Sequence, residues 1–426
     1  MFDASRQVVP AEIARLIVSP QAYARQRKLL AAFGWLREGN PIGRVETDEF
    51  DPFWIVTRHA DILSVSRQHD IFHNSDRATA LVPRSTDERI RALAGGSPHL
   101  IRTLVNMDAP DHAEYRRVSQ AWFTQQGIHA LQDRIRMVAR DCLDRMRTLG
   151  GECEFVREIA RPFPLRVMMS VLGIPPEDAA HVLALTERFF RGQDALSGRD
   201  PARHAVHLRR VLADFTDYFK PLLAARQNAP REDLVTAIAQ ARINGAPIPQ
   251  LEAISYLLIL ATAGHHTTSS SISGGVWALS QRPEVFDKVA LDRSLVPGLV
   301  EEAVRWTTPV QHFMRTATRE TELNGRRIAA GDWLMLSYLS GSRDEQVFDS
   351  PDQFRVDRRT GHTASFGHGV HVCLGQHLAR LEMRIFFEEM LASVGRMELA
   401  GEPRHCASVF VGGPIEVPVR CRFRGR

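Results

Sequence analysis

The sequence has few of the features that mark a secreted, membrane-spanning or disulfide-rich protein. Its 426 residues include five cysteines, an odd number at wide spacing, so we predict no disulfide framework. The longest apolar-rich run, around residues 257–263, is too short to span a bilayer. The N-terminal residues lack a secretory apolar core. We therefore expect a cytoplasmic protein that has no membrane partner.

An excess of charge of one sign is also missing. The 54 Lys+Arg residues nearly balance the 50 Asp+Glu residues, and the basic ones, mostly arginines, are dispersed along the chain. We therefore expect no nucleic-acid partner. A hydrophobic share of 44% with 24% charged residues excludes a disordered chain. The chain is long enough to bury a large core without a disulfide or a structural metal.

Helical apolar spacing is the commonest pattern in what remains. It predicts helices over Ala60–Gln68, Gly127–Leu149, Ala202–Arg226, Gln250–Gln281 and Gln376–Leu391. Strand patterns occur at Phe53–Val56, in a hairpin from Glu322 to Ile328 turned by Asn324-Gly325, at Trp333–Leu336 and at Val409–Phe423. Two stretches, Asp76–Pro110 and Arg191–Arg203, are predicted to be irregular, with a short helix at Thr86–Leu93 in the first. We expect a mainly α fold with a small β lobe.

The strongest local motif is FGHGVHVCLG, which runs from Phe366 to Gly375. Its glycines let the backbone approach a flat group closely. Cys373 arrives at the start of a predicted helix, where backbone N–H groups and the helix dipole favour a thiolate. Such a thiolate suits the proximal position on a haem iron. The F-G-x-G-x-H-x-C-x-G spacing disfavours the alternative, a buried free cysteine beside a turn.

The predicted helix over Gln250–Gln281 contains an unusual run of small and hydroxyl residues at 261–271. Gly, Ser and Thr are poor residues for a helix interior. Thr267 is placed to bond the carbonyl of Ala263 one turn earlier, which would open the helix locally and leave room beside a bound dioxygen. The alternative is a helix kink with no chemical role.

Together, these motifs resemble the cytochrome P-450 superfamily over essentially the whole chain. The Phe366–Gly375 loop matches its haem-thiolate signature, and AGHHT at 263–267 is similar to its A-G-x-[D/E]-T oxygen-binding motif. Glu302 and Arg305 match its E-x-x-R pair, and Phe354–Arg358 matches the segment that packs against that pair. The resemblance implies the cytochrome P-450 fold in a single domain over 1–426. It also implies haem b ligated by Cys373, dioxygen as co-substrate and no flavin in this chain.

The resemblance also assigns roles to individual residues. Thr267 would guide protons to the bound dioxygen, and Cys373 would hold the iron. Further haem contacts would come from His112, Arg116, Ala263, Gly264, Arg315, Phe366, Gly367 and His371. Substrate contacts would come from Thr262, Ala263, Val310, Phe313 and Val411. Most of these substrate contacts are apolar or small, which suits a compact hydrophobic substrate.

His266 departs from the superfamily pattern, because it stands where an acidic residue normally links water to the proton relay. An imidazole with a pKa near 6.5 can also shuttle protons. We therefore keep His266 as a catalytic candidate. The alternative is a tolerated replacement, with water carrying the protons.

Several segments, among them 263–283, 301–317 and 373–387, resemble the bacterial members that hydroxylate α-terpineol. The resemblance implies a monooxygenase that hydroxylates a small hydrophobic substrate, with a terpenoid as the first candidate. The regions Asp76–Pro110 and Ala180–Tyr218, which shape the substrate roof in the superfamily, resemble those members less. The exact substrate therefore stays open.

Electrons are expected from separate proteins, an iron–sulfur ferredoxin and an NAD(P)H-dependent reductase. Arg117, Arg380 and Arg384 lie near the haem-proximal segments and are candidate contacts for an acidic ferredoxin. Ordinary solvated arginines are an equally good interpretation. Two other functions are kept as alternatives: a peroxide-using haem-thiolate enzyme, or specialised oxidase, with His266 as acid/base, and a non-catalytic haem-binding protein.

Overall fold

The computed structural model describes residues 7–194, 201–358 and 363–425. Helices dominate these residues. They are α1 Ala11–Val18, α2 Pro20–Ala24, α3 Arg27–Gly39, α4 His59–Arg67, α5 Arg84–Leu93, α6 Asp111–Gln120, α7 Gln125–His129, α8 Gln132–Thr148, α9 Pro162–Leu172, α10 Ala179–Asp194, α11 Pro201–Asn228, α12 Leu234–Ala239, α13 Gln250–Ser280, α14 Pro283–Leu291, α15 Val296–Thr307, α16 Tyr338–Gly341 and α17 Gln376–Ser393.

The strands are short and scattered between the helices. They are β1 Ile42–Val45, β2 Phe53–Val56, β3 Phe72–His73, β4 Glu152–Glu154, β5 Arg242–Ile243, β6 Ala246–Pro247, β7 His312–Ala317, β8 Thr321–Leu323, β9 Arg326–Ile328, β10 Trp333–Ser337, β11 Val394–Leu399, β12 Arg404–His405, β13 Pro414–Glu416 and β14 Pro418–Phe423. The predicted mainly α fold with a small β component is confirmed.

The strands form separate sheets. The largest has the order β1-β2-β10-β7-β3. Its β2 and β10 run parallel, with Phe53 opposite Trp333, and its other neighbours run antiparallel. The C-terminal strand β14 pairs instead with β11 and with β4 from the middle of the chain. The predicted hairpin is present as β8–β9, with Thr321 opposite Ile328.

Three predicted elements have different bounds in the structure. The helix predicted over Gly127–Leu149 is two helices, α7 and α8, and Thr124 caps the first by accepting a hydrogen bond from the Gly127 N–H. The strand predicted over Val409–Phe423 is confined to β13 and β14, with one isolated bridge between Val310 and Val411. In the stretch predicted to be irregular at 191–203, α10 and α11 extend to 194 and from 201; the remainder, 195–200, lies outside the described residues.

Helix α13 runs through the main hydrophobic core and packs against α9, α15 and α17. It is α-helical over its whole length, so the predicted local opening is absent. Its hydroxyl groups are accommodated because they bond carbonyls one turn back, as Thr262 does with Leu258 at 2.8 Å and Ser273 with Ser269 at 2.8 Å. The polar run therefore stays buried without breaking the helix.

A glycine allows α13 and α17 to come close together. A β-carbon built at Gly275 would lie 2.9 Å from the Phe387 ring and 3.0 Å from the Ala303 β-carbon. A larger residue would push the two helices apart. None of the described helices combines the length and apolar character that crossing a membrane requires.

Candidate functional site

A cavity of about 1480 Å³, with its open mouth included, lies between α13 and the loop that precedes α17. Most of the predicted site residues lie in its wall. They are His112, Arg116, Ala263, Gly264, Thr267, Val310, Phe313, Arg315, Phe366, Gly367, His371 and Cys373. Residues from distant parts of the sequence therefore meet at one place, as the motifs predict.

The loop that carries Cys373 is fixed at both of its ends. The Cys373 N–H donates to the Phe366 carbonyl at 2.8 Å, and Gly375 caps α17, which begins at Gln376. Gly369 has a φ of 71°, and a β-carbon there would lie 2.2 Å from the Ser66 carbonyl oxygen of α4. A glycine is required at that position because of both its backbone conformation and this close approach.

The ionisation of Cys373 depends on opposing effects. Burial raises the pKa of its thiol, whereas the Gly375 N–H and the charges of Arg116 and Arg380 lower it. Burial is the larger effect, so the helix start alone does not provide the thiolate expected from the sequence. A metal ion at the sulfur deprotonates a thiol outright, so a bound iron would supply the thiolate.

One edge of the cavity is lined by two arginines and two histidines. Arg116 donates to the Val372 carbonyl at 2.8 Å, next to Cys373, and Arg315 donates to the Met314 carbonyl at 2.8 Å. The His112 and His371 rings lie 4.2 Å apart between centroids. Burial lowers the pKa of His112 to about 4 and that of His371 to about 2, so both are neutral N–H donors at neutral pH.

These residues fit a haem. A sulfur ligand faces the cavity from the loop before α17, and a cluster of guanidinium and imidazole groups lies on one edge. Burial also lowers the pKa of Arg116 and Arg315, which means that the protein does not fully replace the hydration that their charged forms lose. Carboxylates bound at this edge would stabilise those charges through charge-assisted hydrogen bonds. Haem has two such carboxylates, the propionate groups on one side.

Hydroxyl groups line the opposite wall on α13. The Thr267 hydroxyl donates to the Ala263 carbonyl at 2.9 Å, as predicted. Thr268 and Ser271 also line the cavity, and the Ser271 hydroxyl donates to the Thr267 carbonyl at 3.0 Å. Each of these hydroxyl oxygens keeps lone pairs that can accept a proton or a hydrogen bond.

His266 lies outside this wall. The cavity is lined by Ala263, Gly264 and Thr267, but not by His266. Burial and the neighbouring His265 lower the pKa of His266 to about 3, so its imidazole is neutral at physiological pH. The geometry therefore gives no support to His266 as a proton relay, and that role remains only a prediction.

Two predicted substrate contacts also lie behind the cavity wall. Thr262 is buried, with its hydroxyl bonded to the Leu258 carbonyl. Val411 is buried and forms a bridge with Val310, which does line the cavity. Neither of them is brought to the cavity surface, so as substrate contacts they remain predictions without geometric support.

The cavity also has wall residues that the sequence analysis missed. Tyr338, at the start of α16, packs its ring against Phe313 with centroids 6.2 Å apart, and it lies beside Arg315. Leu104 enters from the long segment before α6. Glu382, on α17, is the third; a signal for it was present, because it is an acidic residue on the apolar helix face of Leu378, Leu381 and Ile385.

The E-x-x-R pair lies outside the cavity wall and forms a closed ionic network. Arg305 donates two hydrogen bonds to the Glu302 carboxylate, both at 2.7 Å. Arg358 donates to the same carboxylate at 3.1 Å, and the Arg355 N–H donates to it at 2.8 Å. Glu302 and Arg305 are each 2% exposed. This agrees with the predicted structural role of the pair and of the segment Phe354–Arg358.

The three arginines that were predicted to meet a ferredoxin all have acidic neighbours on the chain itself. Arg117 pairs with Glu114 at 3.0 Å and Arg384 lies 3.8 Å from Glu388. Arg380 pairs with Glu301 at 2.5 Å and stacks 4.3 Å above the Phe366 ring. Part of their charge is therefore neutralised before any partner arrives.

The helical fold, the cavity-lining cysteine in its glycine-rich loop and the cationic cavity edge define a haem-thiolate protein. The family model Cytochrome P-450 matches residues 194–393. Cytochrome P-450-terp of Pseudomonas sp is 40% identical over 422 residues, which cover 98% of this chain and 99% of that protein. The chain belongs to the cytochrome P-450 family, and it is an oxidoreductase of the monooxygenase type.

Two further comparisons agree with this assignment. Linalool 8-monooxygenase of Pseudomonas putida is 32% identical over 382 residues, or 89% of this chain and 92% of that protein. The crystal structure of CYP108D1 from Novosphingobium aromaticivorans matches with a TM-score of 0.90 and 42% identity, over 98% of this chain and 100% of that chain. The predicted fold and family are therefore confirmed.

Proposed function

We propose that this protein is a haem-thiolate monooxygenase that hydroxylates a small hydrophobic terpenoid with dioxygen and electrons from an iron–sulfur ferredoxin. One observation carries the proposal: the same cavity contains the Cys373 thiol, the Thr267 hydroxyl and a mostly apolar remainder. We propose further that residues 1–426 act as a single domain. A cytoplasmic location stays a prediction from the sequence.

The chain's own residues would hold the haem as follows. Cys373 would bind the iron through its sulfur, and Arg116, Arg315, His112 and His371 would bind the propionates. When bound, the haem supplies the activation of dioxygen and the transfer of one oxygen atom to a C–H bond. The protein supplies the ligand, the orientation and the proton path.

The substrate would lie against the apolar part of the wall. Val310 and Phe313 line the cavity from the segment at the start of β7, Ile259 and Leu260 from α13, and Leu104 from the segment before α6. Such walls exclude water and hold a compact apolar molecule by burial rather than by hydrogen bonds. A terpenoid is supported by this chemistry and by the names of the two relatives, Cytochrome P-450-terp and Linalool 8-monooxygenase.

Thr267 would hold a proton close to the reacting oxygen. Its hydroxyl proton is directed to the Ala263 carbonyl at 2.9 Å, so its oxygen is free to accept from a donor in the cavity. A ferredoxin would reach the opposite side of the haem site, near Arg117, Arg380 and Arg384. The ion pairs of these arginines with Glu114, Glu301 and Glu388 make their individual contributions to docking small.

The peroxide-dependent alternative is not favoured. It would use His266 as acid/base, but His266 does not line the cavity and its pKa is lowered to about 3. An imidazole with that pKa is not in its protonated imidazolium form at neutral pH, so it would be a poor general acid. Ferredoxin-driven and peroxide-driven product formation should be compared directly on the same substrate.

The first experiment is an optical titration of the purified ferric protein with monoterpenoids, including α-terpineol and linalool. We expect a saturable change of the haem from low to high spin, because an apolar ligand displaces water from the iron. Phe313→Ala should weaken this binding, whereas the control Leu291→Ala, which changes a residue that is 88% exposed, should not. The ligand with the largest shift should then be hydroxylated with ferredoxin, reductase and NADH. No shift with any terpenoid would contradict the substrate proposal.

A further inference from the structure

The cavity wall contains an amide oxygen that the chain itself leaves without a partner. Asn74 follows β3 directly, lines the cavity and is 3% exposed. Its Oδ1 atom has no hydrogen-bond partner among the described residues. A buried amide oxygen is normally hydrogen-bonded, because leaving it unpaired costs free energy. The missing donor must therefore come from outside the chain.

Every other polar group of Asn74 has a partner on the chain. Its main-chain N–H donates to the Asp108 carboxylate at 3.0 Å, and its Nδ2 donates to the Val105 carbonyl at 2.7 Å. The ring of His99 hydrogen-bonds to the main chain of Asn74 and Ser75. The bond to Val105 also sets the direction of the amide, since a flipped amide would place two acceptor oxygens together. Oδ1 is therefore held in a fixed position with its lone pairs unused.

Strand pairing places Asn74 between the cationic edge of the cavity and its apolar wall. β3 runs antiparallel to β7, with His73 opposite Thr316. Continued by one residue, this register puts Asn74 across from Arg315. Phe313 lies on the same face of the sheet as Arg315, because side chains alternate along a strand. Arg315 and Phe313 both line the cavity, so Asn74 lies where the two parts of the wall meet.

Two kinds of ligand would meet this border, the haem propionates and the substrate. Propionates are ionised at neutral pH and only accept hydrogen bonds, so they would repel the Asn74 oxygen. The Arg315 guanidinium donates to the Met314 carbonyl at 2.8 Å and gives no hydrogen bond to Asn74. A hydroxyl group on the substrate can donate. A site built to bind a substrate hydroxyl discriminates against the analogue that lacks it, because a buried polar group is then left unpaired.

We propose that the Asn74 Oδ1 atom accepts a hydrogen bond from a hydroxyl group of the substrate, which makes terpenoid alcohols preferred over terpene hydrocarbons. The proposal deepens the monooxygenase function and rests on it. The apolar wall around Phe313 would bury the carbon skeleton, and Asn74 would fix which end of the molecule lies at the cationic edge. Asn74 is thus a residue that determines specificity and takes no part in the chemical step.

The test compares α-terpineol with the menthene of the same carbon skeleton, which lacks the hydroxyl group, by optical titration of the ferric haem-loaded protein. Asn74→Leu removes the acceptor and keeps a side chain of similar size. The ratio of dissociation constants, hydrocarbon over alcohol, should fall about tenfold in this variant. Comparing ratios between two proteins cancels the different solubilities of the ligands. Asn228→Leu, at the exposed end of α11, is the matched control and should keep the wild-type ratio.

A second measurement begins with the unaltered protein. The methyl ether of α-terpineol keeps the oxygen but cannot donate a hydrogen bond, so wild type should bind it about fivefold more weakly than the alcohol. Asn74→Leu should bind the two ligands alike. Equal binding of alcohol and ether by wild type would overturn the proposal. So would an unchanged ratio of hydrocarbon to alcohol in Asn74→Leu, since water would then satisfy the amide oxygen.

Two further outcomes separate this proposal from the roles of the haem and of terpenoids. Asn74→Leu should lose haem to apomyoglobin at the wild-type rate. Faster loss with an unchanged ratio would assign Asn74 to the haem and contradict the proposal. If neither terpenoid changes the spin state of wild type, the terpenoid function fails. Cyclohexanol and cyclohexane then give the same ratio test in the same proteins, and an unchanged ratio with this pair would overturn the role of Asn74.

Discussion

The buried arginines near Glu302 and the buried arginine at the cavity edge have different surroundings. Arg305 and Arg358 share the carboxylate of Glu302, so the network is closed within the chain. Arg315 is buried almost as deeply, at 5% exposure, yet its hydrogen bond goes to a main-chain carbonyl and its side chain lines the cavity. A buried charge that the chain itself matches is structural, whereas one that faces a cavity indicates an ionic ligand.

The largest effect is expected from opening the closed network. Glu302→Gln would leave Arg305 and Arg358 buried without a carboxylate, and breaking a buried ion pair in this way costs about 3–5 kcal/mol. We expect the free energy of unfolding in urea to fall by that amount. Glu114→Gln, which removes a partly exposed pair with Arg117, should cost less than about 1 kcal/mol. Equal losses of unfolding free energy in both variants would show that the Glu302 network contributes no more to stability than an exposed ion pair.

A substitution at the cationic cavity edge should weaken haem retention without destabilising the haem-free protein. Arg315→Met removes a buried cation from β7, so the haem-free protein should be no less stable than wild type. The haem should dissociate about tenfold faster or more, because a hydrogen bond to a charged group contributes roughly 1.5–3 kcal/mol. Transfer of haem to apomyoglobin measures this rate. Arg319→Met, which changes an exposed arginine just after the same strand, is the control. A destabilised haem-free protein with normal haem retention would contradict the comparison.

The sequence allowed much of the site to be predicted because its motifs are local. The Cys373 loop, the Thr267-to-Ala263 hydrogen bond and the four residues at the cationic edge were all placed correctly in the cavity wall. These features depend on short spacings, such as one helical turn or one turn of loop, that a linear motif encodes directly.

Two of the candidates that lie behind the cavity wall, Thr262 and His266, share one physical reason for their position. Adjacent residues on a helix point about 100° apart, so a motif locates the helix better than it locates the face. Ala263 and Thr267 face the cavity, whereas Thr262 and His266, which are also one turn apart, share the neighbouring face. Tyr338 and Leu104 were missed for another reason, because long-range packing brings them to the wall and no local spacing signals it.

The buried histidines also differ in whether the chain itself provides hydrogen-bond partners for the ring or the ring faces the cavity. His312, at the start of β7, has both ring nitrogens occupied: the Leu81 N–H donates to one at 3.0 Å, and the other donates to the Val409 carbonyl at 3.1 Å. It thereby connects the segment of Leu81 and the segment of Val409 to the strand that carries Phe313. Burial lowers the pKa of His312 to about 4. The pKa of His371, which faces the cavity, is lowered further.

The smallest effect is a pH dependence that His312 should produce. The unfolded chain takes up a proton on this residue near pH 6.5 and the folded chain only near pH 4, so unfolding consumes a proton in between. The free energy of unfolding should therefore fall as the pH is lowered through this window, by at most about 1.4 kcal/mol per pH unit for one histidine. His312→Gln should be less stable by about 1–2 kcal/mol above pH 6.5, because one of two hydrogen bonds is lost. Its disadvantage should shrink towards pH 4, since glutamine does not titrate. Urea unfolding across this range gives both slopes, and parallel slopes would show that His312 is not held neutral by its burial.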